Sequence, residues 1–136
     1  MMIGVDTNVL VRYLAQDDPR QSPLARRFVE KQLSAADPGH ISLVALAETV
    51  WVLSSRYGAT REQLISTVAT LASDARFVVQ DEPAVWLALE ACEQQSIDLP
   101  DALIRYVDRH HGCAQTVTFD LRAARHAGFQ LLEAVT

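Results

Sequence analysis

The sequence predicts an α/β fold of three layers, with helices on both faces of a central parallel sheet of about four or five strands. Three observations lead there. Short apolar runs (MMIGV, ISLV, FVVQ, QTVTF) alternate with stretches of helical period, the pattern of strand–helix–strand units. A chain of 136 residues has the size of one domain with a substantial core, and no linker, repeat or low-complexity segment interrupts it, so residues 1–136 are read as a single domain. A hydrophobic share of 49% with only five Gly and five Pro fits a compact globule and excludes a disordered chain.

The elements follow in order. MMIGV is a first strand whose C-terminal end delivers Asp6, and a short helix runs through Val9 to Leu14. Ser22-Pro23 supplies an N-cap and a first-turn proline for a helix to about Leu33. Residues 37–40, DPGH, form a turn before the strand ISLV, which passes into a helix carrying Glu48 and Trp51 and ending near Gly58. Thr60 and Gln63 make a capping box for the helix through Leu64, Val68 and Leu71. FVVQ from Phe77 is a strand, and the helix opened by Asp81-Glu-Pro83 carries Val85, Leu89 and Cys92 at helical spacing. Asp98-Leu-Pro-Asp101 opens a helix with Leu103, Ile104 and Val107 inward. QTVTF is a strand ending at Asp120, a short helix follows through Arg125 to Gly128, and FQLLE is the last strand.

Asp6, Glu48, Asp101 and Asp120 stand at four separated points, each at the edge of an apolar run. Ligands of open parallel sheets bind outside the carboxyl ends of the strands, where Asp6 and Asp120 lie. Asp101 falls in a helix's first turn, with Arg105 and Asp108 on its face. Glu48 is flanked by Leu46, Ala47, Val50 and Trp51, where an unpaired charge is costly. Each residue also has an ordinary reading. Asp6 and Asp120 suit helix caps, with Thr7 or Asn8 sharing the first of these; Asp101 suits the N3 partner of an N-cap at Asp98; Glu48 suits an ion pair with Arg56 or another arginine. Together they make a pattern that four independent caps rarely produce. Converging carboxylates need a cation, and hard oxygen ligands suit Mg²⁺ or Mn²⁺. The chemistry that follows most directly is metal-assisted phosphodiester hydrolysis.

At these residues the chain resembles a known family. VDTNVLVRYL, ISLVALAETVWVL, DLPDALIRY and TVTFD are similar to the four signature segments of PIN-domain ribonucleases, and the small size resembles the VapC toxins of bacterial toxin–antitoxin pairs. The resemblance runs from residue 3 to about residue 132. It implies metal-site and catalytic roles for Asp6, Glu48, Asp101 and Asp120. Asn8 and Thr118 match positions that support the site through hydrogen bonds, and Asp98 matches an acidic neighbour that holds outer-shell water. It further implies a Mg²⁺- or Mn²⁺-dependent endoribonuclease acting on RNA, a homodimer, inhibition by a cognate antitoxin, and contact with DNA only through that antitoxin. Leu99-Pro100 departs from the aromatic-small form of the third segment, which puts the start of that helix in question.

Charge and the remaining residues refine this reading. The net charge of −5 argues against a generic nucleic-acid binder. With the four carboxylates set aside, 13 acidic residues face 12 basic ones, so the remainder is nearly neutral. Lys31 is the only lysine, and the eleven arginines suit bidentate phosphate contacts. Arg105, Arg109, His110 and His111, followed by Arg122, Arg125 and His126, read either as an RNA-phosphate track, with Arg105 and Arg109 foremost, or as solvated helix faces. Trp51 and Trp86 read as core or dimer packing ahead of base stacking. The stretch from Leu14 to Phe28 reads equally as an antitoxin-binding segment or as ordinary helix packing. Cys92 and Cys113 lack close pairing and read as buried free thiols. No signal sequence or membrane span is evident, which predicts a soluble, cytoplasmic protein. Two competing functions are a phosphoaspartyl enzyme, which needs a lysine that only Lys31 supplies, and a PIN-like domain that binds RNA or a partner without cutting.

Overall fold

The computed structural model describes residues 1–133; of the expected domain 1–136, residues 134–136 lie outside the described residues. The chain is α/β, as predicted, and divides into two compact units, the first from Met1 to Gln80 and the second from Asp81 onward. The five strands among the described residues all pair in parallel, three of them in the first unit and two in the second. Five strands match the upper expected number, with the hydrogen bonds divided between two sheets rather than running through one.

The first unit orders its elements as β1 (Ile3–Gly4), α1 (Thr7–Ala15), α2 (Gln21–Arg27) continued by a π-helical turn (Phe28–Gln32), β2 (Gly39–Ile41), α3 (Leu43–Tyr57), α4 (Arg61–Ser73) and β3 (Phe77–Val79). Strand order is β1-β2-β3, with Ile3 opposite Gly39 and Ile41 opposite Val79. Gly39 is required at the crowded centre: a Cβ there would lie 2.8 Å from Val5 and 2.9 Å from Leu33. Leu10, Val29, Ile41, Leu46 and Val68 are fully buried around this sheet.

Two boundaries differ from the sequence reading. The strand expected as ISLV is Gly39–Ile41, because Ser42 leaves it as N-cap of α3 and accepts the Ala45 N–H at 3.1 Å. The expected Ser22 cap is also replaced. Ser22 is buried, donates its hydroxyl to the Arg12 carbonyl at 2.8 Å and accepts the Asp18 N–H at 3.2 Å. Asp18 does the capping instead, its Oδ1 accepting the N–H groups of Arg20 and Gln21, bonds that hold its pKa below the usual aspartate value. The capping box of α4 forms as predicted, with Gln63 N donating to Thr60 Oγ1 and Thr60 N to Gln63 Oε1.

The second unit comprises α5 (Glu82–Gln95), α6 (Leu99–His110), β4 (Val117–Thr118), α7 (Leu121–His126) and β5 (Gln130–Leu131). Val85, Ala88 and Cys92 of α5 and Leu99, Ala102 and Leu103 of α6 are buried, and the two helices pack on each other. Ile104, expected inward, is exposed because its neighbours Leu103 and Tyr106 already take the buried side of α6. Cys92 is buried as expected; Cys113, expected to be buried, is instead exposed in the segment after α6.

The polar face of α6 holds the β4–α7–β5 segment. Arg105 Nη1 donates to the Ala127 carbonyl at 2.7 Å, and Asp108 Oδ2 accepts the Thr116 hydroxyl at 2.7 Å. Gly128 turns the chain at φ +74°, where a Cβ would lie 2.6 Å from Arg105 Nη1. No helix among the described residues is long and apolar enough to cross a membrane.

Candidate functional site

In the first unit, β1 carries the chain to Asp6, whose extended backbone (φ −80°, ψ 158°) makes it the N-cap of α1. Its Oδ1 accepts the Thr7 N–H at 2.8 Å. The Thr7 hydroxyl then reaches across to α3 and donates to Glu48 Oε1 at 3.0 Å. Thr7 thus ties both carboxylates of this unit. They share an open cavity of about 310 Å³ with Asn8, Arg12, Arg56 and Tyr57. The expectation that Glu48 sits in apolar surroundings is corrected: it is exposed on α3, so no burial cost attaches to its charge. Among the described residues it takes its bond from Thr7, and no ion pair joins it to Arg56. Asn8 lines the same cavity, while the hydrogen bond to Glu48 comes from Thr7 rather than from Asn8.

In the second unit, Asp120 follows β4 and caps α7, its Oδ1 accepting the N–H of Arg122 at 2.8 Å and of Ala123 at 3.4 Å. The Thr118 Oγ1 accepts the Asp120 N–H at 3.0 Å. Asp101 is the third residue of α6 and half-buried. The capping reading of Asp98 and Asp101 is not realised: Asp98 occupies the N-cap position without a side-chain bond to the helix, and lies instead 3.4 Å from Arg122 Nη2. The Leu99-Pro100 departure is harmless, since proline belongs in a helix's first turn. Asp98, Asp101, Arg122 and His126 line a cavity of about 230 Å³. Burial, above all, and then the charges of Asp98 and Asp120 push the Asp101 pKa above the ordinary aspartate value, while Arg122 pulls the other way.

Capping and metal binding are compatible in these residues. The caps engage only Oδ1 of Asp6 and of Asp120, fixing each carboxylate while its other oxygen bonds nothing in the protein among the described residues. The donors are all oxygens, the set that suits Mg²⁺ or Mn²⁺. Among the described residues no three His, Cys, Asp or Glu side chains gather as a ready cage. Mg²⁺ does not require one, because it binds through one or two carboxylates and completes its shell with water and substrate phosphate. The residues therefore fit a divalent cation of this kind.

Other sequence candidates take structural partners. Arg105 is occupied by Ala127 and, like Arg109, lies 5.4 Å from the Tyr106 ring centroid. His111 Nε2 is 2.7 Å from Asp81 Oδ2, and His110 Nε2 is 4.0 Å from Asp81 Oδ1, so Asp81 holds the C-terminus of α6. Trp51 is 63% exposed and Trp86 39%, which removes the core reading for Trp51. Lys31 lies exposed in the π-helical turn. The sequence reading missed Thr7 as the bridge, although a hydroxyl residue directly after a strand-end aspartate was its signal. Arg122, read as either an RNA-phosphate contact or a solvated helix face, lies exposed on α7 with its Nη2 3.4 Å from Asp98 Oδ2.

Aspartates delivered by parallel strands onto helix N-termini, with further carboxylates on neighbouring helices, define an acidic-site α/β protein of the PIN type. The chain belongs to the PIN domain family, whose model matches residues 3–129 and so runs through both units. Among solved structures it is similar to the Mycobacterium tuberculosis toxin VapC20, described as cleaving the sarcin-ricin loop, at 20% identity over 95% of this chain and 96% of that one, with a TM-score of 0.44. No curated protein matches.

Proposed function

We propose that the chain is a Mg²⁺- or Mn²⁺-dependent endoribonuclease that hydrolyses RNA phosphodiester bonds, built as one domain. In this reading Asp6, Glu48, Asp101 and Asp120 are its metal ligands and catalytic residues. Membership of the PIN family supports the nuclease class. The observation that carries it is the pair Asp6 and Glu48, tied through one threonine in an open cavity and joined in no ion pair among the described residues. A divalent cation, which these carboxylates would hold, would supply acidity to a water and charge neutralisation at the phosphodiester. The protein's part is to hold the carboxylates: the α1 and α7 N-termini orient Asp6 and Asp120, Thr7 orients Glu48, and Thr118 steadies the turn at Asp120. Asp98, paired with Arg122, is an outer neighbour of Asp101.

The small size, which resembles that of VapC toxins, adds to the PIN-type segments a role as toxin of a toxin–antitoxin pair, homodimeric, cytoplasmic and inhibited by its antitoxin. A phosphoaspartyl reaction is disfavoured by the position of the only lysine, exposed in the π-helical turn of Lys31. The test incubates purified protein with total cellular RNA and Mg²⁺ or Mn²⁺, beside Asp6→Asn, Asp101→Asn and an EDTA control. Metal-dependent cleavage lost in both variants is expected. Cleavage that persists in both sinks the site, and binding of RNA without cleavage favours a non-cutting PIN-like domain.

A further inference from the structure

Phe119 is 81% exposed, a larger fraction than any other large hydrophobic residue beyond Met1 among those described. Its backbone is nonetheless held on both sides. Thr118 pairs with Leu131 in the β4–β5 ladder and its carbonyl accepts the Leu132 N–H at 2.8 Å; Asp120 N–H donates to Thr118 Oγ1, and the Asp120 side chain caps α7. A ring projected to solvent from a fixed backbone loses little conformational freedom on binding. Val117 and Leu121 are exposed beside it in sequence. The helix that follows carries Arg122, Arg125 and His126 and no acidic residue.

We infer that Phe119 is a stacking platform for an unpaired RNA base, with the cationic residues of α7 attending the phosphates of the same strand. The inference rests on the ribonuclease reading and adds a substrate-positioning residue to it. An exposed aromatic interleaved with arginines is the arrangement that binds single-stranded nucleic acid, since every base offers a π-face whatever its identity. The adjacency to Asp120 gives the stacking a use: a strand whose phosphate lies at Asp120 carries a flanking base past Phe119. A second copy of this chain is a poorer occupant, because a two-fold contact centred on Phe119 sets Arg122 and Arg125 against their own copies.

The test measures binding of a fluorescein-labelled single-stranded oligoribonucleotide in EDTA, where no cleavage interferes, for wild type, Phe119→Ala, Phe119→Leu and Phe119→Trp. Losing one stacked base weakens binding roughly 5- to 150-fold. Phe119→Ala and Phe119→Leu are expected in that range, and Phe119→Trp near wild type, with equal masses by light scattering and equal melting temperatures. Wild-type affinity in Phe119→Leu, or in Phe119→Ala, overturns the inference, as does a wild type that binds no RNA. A fall in mass for Phe119→Ala also overturns it, assigning the face to self-association. The two readings fail separately. RNA bound but never cut with Mg²⁺ sinks the nuclease and leaves the stacking result standing, whereas cleavage with unweakened Phe119→Ala binding sinks the stacking alone.

Discussion

Thr7 holds two carboxylates with two different groups: its backbone N–H donates to Asp6 and its hydroxyl to Glu48 Oε1, 3.0 Å away on α3. Only the second bond depends on the side chain. Thr7→Val therefore keeps the Asp6 cap while releasing Glu48, and Thr7→Ser keeps both. Orienting partners of metal ligands are worth about 10- to 100-fold in metal affinity or activity. Thr7→Val is expected to raise the Mg²⁺ concentration for half-maximal RNA cleavage by about that factor, with Thr7→Ser close to wild type. Equal Mg²⁺ titrations for Thr7→Val and wild type would count against Glu48 as a ligand.

Asp101 makes opposite demands on stability and on activity. Burial and the charges of Asp98 and Asp120 raise its pKa in the fold, so the folded chain holds this proton more tightly than the unfolded chain. Stability from that proton is complete below the unfolded pKa and lost as pH rises through the folded one. Asp101→Asn removes the strain, and its melting temperature at neutral pH without metal is expected above that of wild type, the gap closing in acid. Added Mg²⁺ should raise the melting temperature of wild type more than that of Asp101→Asn. Cleavage should fall at least about 100-fold, since a metal's charge stabilisation is worth several kcal/mol. A variant less stable than wild type at neutral pH without metal would contradict the electrostatic account.

The positions of Asp6 and Asp120 were legible because a strand followed by a cap leaves a short, local signature: an apolar run, then aspartate, then helical period. The Thr60–Gln63 box was legible for the same reason. What escaped depended on contacts distant in sequence. Nothing near Ser22 announces that its hydroxyl is taken by Arg12, which leaves Asp18 to cap α2. Nothing near Arg105 announces Ala127, 22 residues on. Glu48 misled because flanking apolar residues in sequence are not neighbours in space: Leu46, Thr49 and Val50 turn inward, whereas Val44, Glu48 and Trp51 share an exposed face of α3 at helical spacing.

Gly128 and Arg105 form one device that fixes the turn after α7. A side chain at φ +74° costs about 1 to 2 kcal/mol, and a Cβ 2.6 Å from Nη1 also forces Arg105 off the Ala127 carbonyl. Gly128→Ala is expected to destabilise by about 2 kcal/mol or more in urea unfolding. In an Arg105→Met background the same substitution should cost less, because only the backbone strain remains. Additive costs in the double-mutant cycle would refute the coupling.

The corner between α4 and β3 should set part of the acid limb of stability. Asp74 accepts the Arg76 backbone N–H at 2.9 Å, Nε at 3.0 Å and Nη2 at 2.7 Å, and Arg76 Nη2 also lies 3.4 Å from the Tyr13 hydroxyl. The Arg76 carbonyl in turn accepts the Gly39 N–H at 2.8 Å, so the pair fixes the edge where β3 joins β2. The bonds from the Arg76 side chain, first, and then its backbone N–H lower the Asp74 pKa in the fold. A lowered carboxylate stabilises the fold above its unfolded pKa, near about 3.9, and that contribution disappears as pH falls through the folded value. Asp74→Asn is expected to lose about 1 kcal/mol at pH 7, a figure kept small because both side chains remain partly solvated. Once the pH has fallen through the lowered folded value, the protonated wild type and the variant should converge. Melting curves from pH 7 down to pH 2 check this, and a difference between the two proteins that stays constant with pH would show that Asp74 acts through packing rather than through its charge.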